Sequence, residues 1–239
     1  MIIGQGITVD GGISIFDTPV VDSVVTTGLQ LYLDAGNASS YSGTGTSWND
    51  LSGNGRNGTL TNNPTYSSAD GGSIVFDGNN DFVQCSGSLT VTAATFVTWI
   101  RRNGPQGDYD GIIYSRGAVA TGLSFLGVTN KISYTWSDAV NTYSWDSGLT
   151  IPDLTWCMVA VSVTSTSATA YLCQSSGITS ATNTVSHTST VLDDIRIGQD
   201  NLASRFFNGR IAVAQIYNIA LSAEQVSQNF AADRSRFGV

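Results

Sequence analysis

Hydrophobic and polar residues alternate with a period of two along most of the chain from Gly28 onward. The segment LQLYLDA is typical, because its leucines fall on one face of an extended chain and its polar and aromatic residues on the other. About a dozen short segments of this kind follow one another, separated by turns rich in Gly, Asn, Asp and Ser. This pattern predicts an all-β fold, an antiparallel β-sandwich or jelly roll, rather than strands that alternate with helices.

One segment near the C-terminus has the pattern of a helix instead. In LSAEQVSQNF, Ser222 stands at the N-cap position and Gln225 follows three residues later, which is the pattern of a capping box. Leu221 and Val226 occupy the two positions of a hydrophobic staple. We therefore predict a short C-terminal helix over residues 223–232.

The first 26 residues differ from the rest of the chain. The stretch GQGITVDGGISIF is rich in glycine and contains a weak internal repeat, GITV against GISI. Such a segment has little apolar area to bury by itself. We expect an extended N-terminal arm over residues 1–26, followed by one domain over residues 27–239. Two arrangements stay open: the arm adds a strand to another chain, or it packs on its own domain.

The composition fits an all-β fold and narrows the range of partners. Only 12% of the residues are charged, and Glu224 and Lys131 are the only glutamate and the only lysine. The net charge of −8 disfavours nucleic acid, whose phosphates require a basic surface, and it disfavours anionic membranes. We see no signal peptide and no apolar stretch long enough to span a membrane. We expect a protein that stays soluble or joins an assembly.

The three cysteines do not form a disulfide framework. Cys85, Cys157 and Cys173 are odd in number and widely spaced. Cys157 and Cys173 are expected on neighbouring strands, so a single disulfide between them is one alternative. The other alternative is that all three are buried free thiols.

Six stretches of the chain resemble, in order, the concanavalin A-like, laminin-G-like jelly-roll superfamily in the form found among phage and bacterial surface proteins. They are GLQLYLDA, WNDLSGNGRNGTL, GSIVFDGNNDFV, FVTWIRR, WCMVAVSV and FNGRIAVAQIYNIALSAEQVSQNF. The resemblance spans residues 28–232 and implies the sandwich fold. It is a poor guide to function, because this fold supports lectins, glycanases, adhesins and structural modules. The glycine-rich start also resembles the leading segments of phage virion proteins.

The chain departs from the resembling family where catalytic acids are concerned. The family often has an acidic pair where this chain has Ala212 and Val213. Its glycanases use two closely spaced glutamates, whereas the only glutamate here, Glu224, lies on the predicted helix. The resemblance therefore implies a member of the family without the catalytic pair.

The remaining candidates for catalysis are weak. Asp108 and Asp110 lie in the turn-rich loop PQGDYDG, and the adjacent Asp193 and Asp194 would point to opposite faces of a strand. His187 is the only histidine, and we expect it at the surface or in a loop. We predict that the protein is not an enzyme.

Calcium is the metal that the sequence best allows. In DGNNDF, Asp77, Asn79 and Asp81 offer the oxygen ligands that hard cations prefer, and the resembling superfamily often holds a structural calcium. The alternative is that these residues only form the turn between two strands. We expect no cofactor, with calcium at this loop as the open alternative.

The loop WNDLSGNGRNGTL is dense in polar residues, and Asp50, Asn54 and Asn57 have the chemistry of ligands. The resembling family has a similar loop whatever its function. We therefore interpret the loop as structural. In this interpretation the glycines form turns, namely Gly53, Gly55 and Gly58. Trp48 and Leu60 anchor the loop in the core, and Arg56 is its exposed basic tip.

An aromatic cluster in YTWSDAVNTYSWDSG is the candidate glycan site. Tyr134 and Trp136 share one face of an extended strand, and Tyr143 and Trp145 share another. Either pair could stack on a sugar ring beside the Asn and Asp groups of the same stretch. The alternative is that these aromatics fill the space between two sheets.

Two functions follow from these observations. We predict a non-enzymatic structural protein of a phage virion, either a capsid decoration (cement) protein or a tail-associated component. It would be a homo-oligomer that docks to other virion proteins through its arm, with the sandwich facing outward. The alternative is a carbohydrate-binding adhesion module that recognises host surface glycans. Neither function involves nucleic acid or a membrane.

Overall fold

The computed structural model describes residues 23–202 and 205–239, together with the backbone pairing of two short strands nearer the N-terminus. Besides the strands it has two α-helices, α1 (Val140–Tyr143) and α2 (Ala223–Asp233), and two short 3₁₀ turns. The strands in chain order are β1 (Thr8–Val9), β2 (Ile13–Ser14), β3 (Leu29–Asp34), β4 (Ser47–Trp48), β5 (Gly58–Thr61), β6 (Thr65–Ser67), β7 (Ser73–Asp77), β8 (Phe82–Cys85), β9 (Leu89–Val91), β10 (Ala94–Arg102), β11 (Gly111–Arg116), β12 (Ala120–Phe125), β13 (Ile132–Thr135), β14 (Cys157–Val163), β15 (Ala168–Gln174), β16 (Gly177–Asn183), β17 (Thr190–Leu192), β18 (Ile195–Ile197) and β19 (Asn208–Tyr217).

Two large sheets pack face to face. The eight-stranded sheet has the order β16-β15-β14-β10-β19-β7-β6, and β3 also pairs with β19. The seven-stranded sheet has the order β13-β12-β11-β18-β8-β5-β4. Pairing is antiparallel between neighbouring strands, for example β10 with both β14 and β19. This confirms the predicted antiparallel sandwich of jelly-roll type.

The main hydrophobic core lies between the two sheets. In β3 the alternation works as the sequence predicts: Leu31 and Leu33 are completely buried in this core, whereas Tyr32 packs on the outer side of its sheet. Each fully buried leucine stabilises the fold by roughly 1.5–3 kcal/mol. The inward positions of the other long strands follow the same rule, as Phe96 and Ile100 do in β10.

A second hydrophobic layer covers the outer face of the eight-stranded sheet. Here α2 and the 3₁₀ turn Arg234–Phe237 pack on the sheet, and Trp99 stacks on Phe230 and Phe237 with ring centroids 5.5 and 4.4 Å apart. The predicted capping box is present, because the Ser222 Oγ accepts the Gln225 amide. The helix ends one residue beyond the predicted 232. Neither helix in the described part of the chain has the length and apolarity needed to cross a membrane.

The end of the predicted arm belongs to this second layer. The buried Val25 donates its amide to the Asn229 Oδ1 of α2 at 2.7 Å, and Gln228 donates to the Ser23 carbonyl at 2.7 Å. Residues 23–26 therefore contact the domain, although we placed them in the arm over residues 1–26. Apart from the pairing of β1 with β2, the rest of that arm lies outside the described residues.

The cysteines are buried free thiols. Cys157 and Cys173 do lie on neighbouring strands, but Cys173 is registered with Met158 rather than with Cys157. Cys157 faces the core between the sheets, whereas Cys173 faces the second layer. Because their side chains point to opposite faces of one sheet, they do not form the disulfide that the sequence left open. Burial also raises the pKa of the Cys85 and Cys173 thiols to about 12, which keeps them protonated.

Candidate functional site

An open cleft lies on the outer face of the seven-stranded sheet, on the side of the sandwich away from α2. The outward residues of β11 form the floor of the cleft. Side chains alternate along this strand, so that Ile113 points into the core while Tyr114 and Arg116 point outward into the cleft. Gly122 of β12 stands directly opposite Tyr114. A Cβ atom at Gly122 would lie 2.9 Å from the Tyr114 Cδ2, so glycine is what lets the tyrosine ring lie close against β12.

Aromatic side chains form the walls of the cleft. The ring of Tyr143, at the end of α1, meets the ring of Tyr109 edge to face with centroids 6.1 Å apart. The Arg205 guanidinium lies over the Tyr109 ring, 5.2 Å from its centroid, and Leu202 is 42% exposed. The cavity has a volume of ≈ 250 Å³ and is lined by Tyr109, Tyr114, Arg116, Thr135, Asp138, Tyr143, Leu202 and Arg205.

A buried carboxylate beneath the cleft holds its two arginines. Asp200 has no exposed side-chain surface. It accepts two hydrogen bonds from Arg116, at 2.5 and 2.9 Å, and one from Arg205 at 2.6 Å. The hydrogen bond that Arg116 donates to Asp200 raises the pKa of Arg116 above its ordinary value. Asp200 thereby fixes one arginine of the floor and one of the wall in a single geometry.

The polar groups in the cleft are neutral or balanced in charge. Tyr114 donates its hydroxyl proton to the Thr135 Oγ1 at 2.7 Å, and burial together with the nearby Asp200 raises its pKa to about 12. The half-exposed Asp138 lies 3.7 Å from Arg116. Two arginines thus face two aspartates, and the cleft as a whole suits an uncharged ligand with many hydroxyl groups.

The loops that form the walls contain backbone strain. Tyr109, Ser137 and Asp138 have positive φ angles of 61°, 52° and 58°, in the left-handed region that side chains other than glycine and asparagine seldom adopt. Such outliers occur most often at binding and catalytic sites, where the surrounding contacts hold them. At Tyr109 those contacts are the Arg205 guanidinium and the Tyr143 ring.

The four aromatics of the predicted glycan site divide between the core and the cleft. Tyr134 and Trp136 are 0% and 1% exposed, so they cannot stack on a sugar, and the prediction for these two was wrong. Tyr134 shares the inward face of β13 with Ile132, Trp136 follows directly after the strand, and both fill the space between the sheets. Trp145 is half-buried against Tyr134, with centroids 5.9 Å apart. Only Tyr143 lines the cleft.

The single histidine lies in a loop, one of the two settings that we predicted, but it is buried there rather than at the surface. His187 lies in a loop, but its ring is enclosed between the Tyr134 hydroxyl and the Thr164 carbonyl, each 2.9 Å from one ring nitrogen. Because the carbonyl can only accept, Nδ1 carries the proton and Nε2 accepts from Tyr134. Burial lowers the pKa of His187. The histidine therefore supports the Tyr134 side of the core and does not reach the cleft.

The loop with Asp77, Asn79 and Asp81 is closed by its own backbone. The Asp77 Oδ1 accepts the amides of Asn79 and Asn80 at 2.8 and 3.3 Å, and the Asp81 Oδ2 accepts the Asp77 amide at 3.2 Å. Calcium takes six to eight oxygen ligands. In the described part of the chain, no three His, Cys, Asp or Glu side chains are grouped to hold a metal ion. The donor set does not fit calcium here, and calcium at this loop stays a prediction without structural support.

The polar loop at residues 48–60 is structural, as predicted. The two oxygens of Asp50 accept the amides of Tyr32, Ser52 and Arg56, so this carboxylate organises the loop. Trp48 and Leu60 are buried core anchors. Two details were wrong. Arg56 is not a free tip, because it donates to the carbonyls of Gln30 and Ser88. Gly58 lies in β5, where a Cβ atom would approach the Val83 Cγ1 to 2.6 Å.

The other acidic pairs occupy separate positions. Asp110 is 3% exposed and accepts the Gly107 amide, whereas Asp108 is exposed. Asp193 accepts the Ala118 amide, whereas Asp194 accepts hydrogen bonds from Gln84 and Asn201. Neither pair converges on a common point in the cleft.

Sequence reasoning missed most of the residues that line the cleft, among them Tyr109, Tyr114, Arg116 and Arg205, and it missed the Asp200 carboxylate beneath them. The strand GIIYSRG did contain a signal, since Tyr114 and Arg116 alternate with Ile113 and therefore face away from the core. Asp200 left no such signal, because its importance comes from a contact with Arg116, 84 residues away.

Residues 77–227, more than half of the chain, match a family model described as "Concanavalin A-like lectin/glucanases superfamily". No curated protein matches the chain at a significant level of sequence similarity.

Several solved structures share the fold at low sequence identity. Domain 4 of AbnA, a GH43 extracellular arabinanase from Geobacillus stearothermophilus, in complex with arabinotriose, aligns with a TM-score of 0.62 and 18% identity over 85% of this chain and 98% of that chain. The Trypanosoma rangeli sialidase in complex with the inhibitor DANA aligns with a TM-score of 0.61 and 14% identity over 91% of this chain. The botulinum neurotoxin serotype D binding domain aligns with a TM-score of 0.59 and 13% identity over 88% of this chain.

The alignments cover 34% of the sialidase chain and 52% of the neurotoxin chain, so this chain spans only part of those proteins. At such identities the likeness shows the fold alone.

Proposed function

The chain belongs to the concanavalin A-like lectin/glucanase superfamily, and from that premise we propose that it is a carbohydrate-binding module whose ligand site is the cleft on the seven-stranded sheet. The observation that carries this proposal is the wall of the cleft, where Tyr109 and Tyr143 meet beside an arginine and an exposed leucine. Aromatic rings offer apolar faces and edges to the C–H groups of a sugar, and guanidinium and hydroxyl groups bind its oxygens.

The charge balance favours a neutral saccharide. Arg116 and Arg205 are already bonded to Asp200, so neither guanidinium is free to neutralise a charged ligand fully. Their remaining N–H groups, with the Asp138 carboxylate, suit hydroxyl groups of a neutral sugar. Domain 4 of AbnA, whose structure contains arabinotriose, is a neighbour in fold and adds weight to a neutral oligosaccharide.

We propose binding without hydrolysis. Glycoside cleavage requires two carboxyl groups that flank the scissile bond. The carboxyl groups at this cleft in the described residues are those of Asp138 and Asp200, and Asp200 is fully buried with both oxygens bonded to arginine. It cannot approach a glycosidic oxygen, so Asp138 would act alone.

A glycan array followed by calorimetry tests this function. Wild-type protein is expected to bind one or more neutral glycans, and Tyr143→Ala and Tyr109→Ala are each expected to weaken that binding about tenfold or more. Tyr66→Ala is the matched control, since Tyr66 is a half-buried tyrosine on β6 of the other sheet. Absence of any binding above background, or binding that neither cleft variant reduces, would reject the cleft as a glycan site. Release of free sugar from the bound glycan would reject binding without hydrolysis.

A role in a phage virion is a second candidate, and one contact favours it. Ser23 and Val25 are attached to α2, on the face of the sandwich opposite the cleft. A segment that enters the domain there could hold other virion proteins while the cleft faces outward. The test is co-sedimentation of the protein with purified phage particles, with a variant lacking residues 1–22 as the comparison. Failure of the 239-residue protein to co-sediment would exclude this role.

A further inference from the structure

A second cleft lies on the opposite side of the sandwich, on the outer face of the eight-stranded sheet beside the layer formed by α2. It has a volume of ≈ 210 Å³ and is lined by Val75, Phe76, Arg101, Asn103, Asn208, Gly209 and Arg210. We call it the arginine cleft. It shares no residue with the tyrosine-lined cleft of the proposed function.

Two arginines stand directly opposite each other in this cleft. Arg101 of β10 is registered with Arg210 of β19. Both continue the outward face of their strands, because Trp99 and Ala212, two positions away, face the outer layer. Gly209 keeps the strands close at this point, since a Cβ atom there would lie 2.5 Å from the Arg101 carbonyl oxygen. The two arginine side chains therefore leave the same side of the sheet from neighbouring positions. From there the Arg101 guanidinium reaches the Leu154 carbonyl and the Arg210 guanidinium reaches Ser67 of β6.

The two arginines have few compensating carboxylates in the described part of the free protein. Like charges directly opposite on paired strands repel each other. The chain has only 10 basic residues against 18 acidic ones, yet it places two of the ten face to face. Arg101 donates to the Leu154 carbonyl at 3.0 Å, and no carboxylate among the described residues lies within ion-pair distance of it. Arg210 donates to the Ser67 Oγ at 3.3 Å, and its one carboxylate neighbour among the described residues is Asp70 at 3.9 Å, whose side chain is 45% exposed.

We propose that the arginine cleft binds an oxyanion, that is, a carboxylate, sulfate or phosphate group of a ligand. Both arginines line the cleft, so their guanidinium groups can each donate to different oxygens of one such group. The side-chain amides of Asn103 and Asn208 add donors at the rim, and Val75 provides an apolar surface beside them. The cleft therefore differs in chemistry from the charge-balanced cleft on the other sheet, and the chain has one site for neutral sugars and one for an anionic group.

Calorimetry at low ionic strength tests the site with three probes: inorganic sulfate, an oligogalacturonate that carries carboxylates, and a sulfated oligosaccharide derived from heparin. At least one probe is expected to bind the wild-type protein with one-to-one stoichiometry. Arg101→Gln and Arg210→Gln are each expected to weaken that binding about tenfold, and added salt is expected to weaken it further. Binding of sulfate alone indicates a site for free anions, whereas binding of only the saccharides indicates an acidic glycan.

Two control variants establish that the binding is specific to the arginine cleft. Arg234→Gln removes an exposed arginine at the C-terminal end of α2 and is expected to leave the affinity unchanged. Tyr143→Ala, in the other cleft, is also expected to leave it unchanged, so that failure of the proposed glycan function does not affect this result. Without ligand, Arg210→Gln is expected to keep or raise the melting temperature, because it relieves repulsion. The proposal is overturned if no probe binds, or if the Arg101 and Arg210 variants bind as tightly as wild type.

Discussion

The Arg116 guanidinium and the Asp200 carboxylate form a two-point ion pair between residues 84 positions apart, with distances of 2.5 and 2.9 Å. Arg116 comes from β11, and Asp200 comes from the loop after β18. The second oxygen of Asp200 also accepts a hydrogen bond from Arg205. The pair thus joins the floor of the tyrosine-lined cleft to the loop that forms one wall.

Removal of the Asp200 charge should therefore reduce both stability and binding. In Asp200→Asn the two arginines lose their fully buried carboxylate partner, and only the half-exposed Asp138 remains beside Arg116. We expect the free energy of unfolding to fall by roughly 3–5 kcal/mol, which is the usual cost of removing one partner of a buried ion pair. Urea denaturation measures the stability, and calorimetry with a glycan identified on the array measures the binding.

Asp138→Asn is the matched control for that experiment. Asp138 lies 3.7 Å from the same arginine, but its side chain is 53% exposed. An exposed ion pair contributes at most about 1 kcal/mol, so the stability should change little. Equal losses in the two variants would contradict a special role for the buried carboxylate.

The pH dependence of stability should be sensitive to Asp110. Burial raises the pKa of this carboxyl to about 6, and its Oδ1 has no hydrogen-bond partner among the described residues. The folded protein binds this proton more tightly than the unfolded chain does. The resulting stabilisation is complete below about pH 4 and is lost as the pH rises through about 6.

Asp110→Asn removes this loss, because an amide does not ionise. We expect the variant to be more stable than wild type at about pH 7.5, by roughly 1–2 kcal/mol after allowance for solvent screening, and the gain to shrink towards pH 4. Thermal unfolding at several pH values measures the effect. The exposed Asp108→Asn is the control and should follow the wild-type profile. An Asp110→Asn profile parallel to wild type would refute the assignment.

Local patterns in the sequence predicted the fold well, because each strand and the helix α2 carry their own periodicity. The alternation in KISYTW also contained the information that Tyr134 and Trp136 face inward. Ile132 lies on the same face of the extended chain as Tyr134 and Trp136, whereas Ser133 and Thr135 lie on the opposite face. From the sequence we left two interpretations open for these aromatics, a sugar-binding surface and the space between the sheets, and their shared face with an isoleucine favours the second.

The candidate sites could be predicted only in part, because they depend on contacts between distant segments. Tyr143 was found from its neighbours in sequence, but its partner Tyr109 comes from a different loop. Arg101 and Arg210 belong to strands 109 positions apart in the chain, and only the register of β10 with β19 places them together. No local pattern encodes such a register.

The single histidine offers a direct test of the core around Tyr134. Burial lowers the pKa of His187 below its ordinary value of about 6.5. The unfolded chain then binds the proton more tightly, so this group's contribution to stability is present above about pH 6.5 and is lost as the pH falls through the folded pKa. NMR titration of the imidazole signals needs no assignment, since the chain has one histidine. The same titration in concentrated urea gives the reference, and a folded pKa equal to or above that reference would show that the ring is solvated.

The capping box of α2 should make a measurable contribution to stability. The Ser222 Oγ accepts the Gln225 amide at 3.3 Å, and the Gln225 side chain accepts the Ser222 amide at 2.9 Å. Ser222→Ala is expected to lower the free energy of unfolding by about 1 kcal/mol. Ser227→Ala, at an exposed position within the same helix, should be neutral or slightly stabilising because alanine has the higher helix propensity. Urea denaturation distinguishes the two, and equal effects would mean that the cap does not stabilise the helix.

The floor of the tyrosine-lined cleft should depend on the absence of a side chain at Gly122. A Cβ atom there would lie 2.4 Å from the Ile113 carbonyl oxygen and 2.9 Å from the Tyr114 ring, so Gly122→Ala must displace Tyr114. Gly177→Ala is the control, because Gly177 also has a positive φ but no atom lies within 4 Å of its Cβ position. Backbone strain alone should cost about 1–2 kcal/mol in the control, and overpacking should add roughly 1–3 kcal/mol at Gly122. Glycan binding should weaken in Gly122→Ala and stay unchanged in Gly177→Ala. If Gly122→Ala bound the glycan as wild type does, the ligand would not rest on Tyr114.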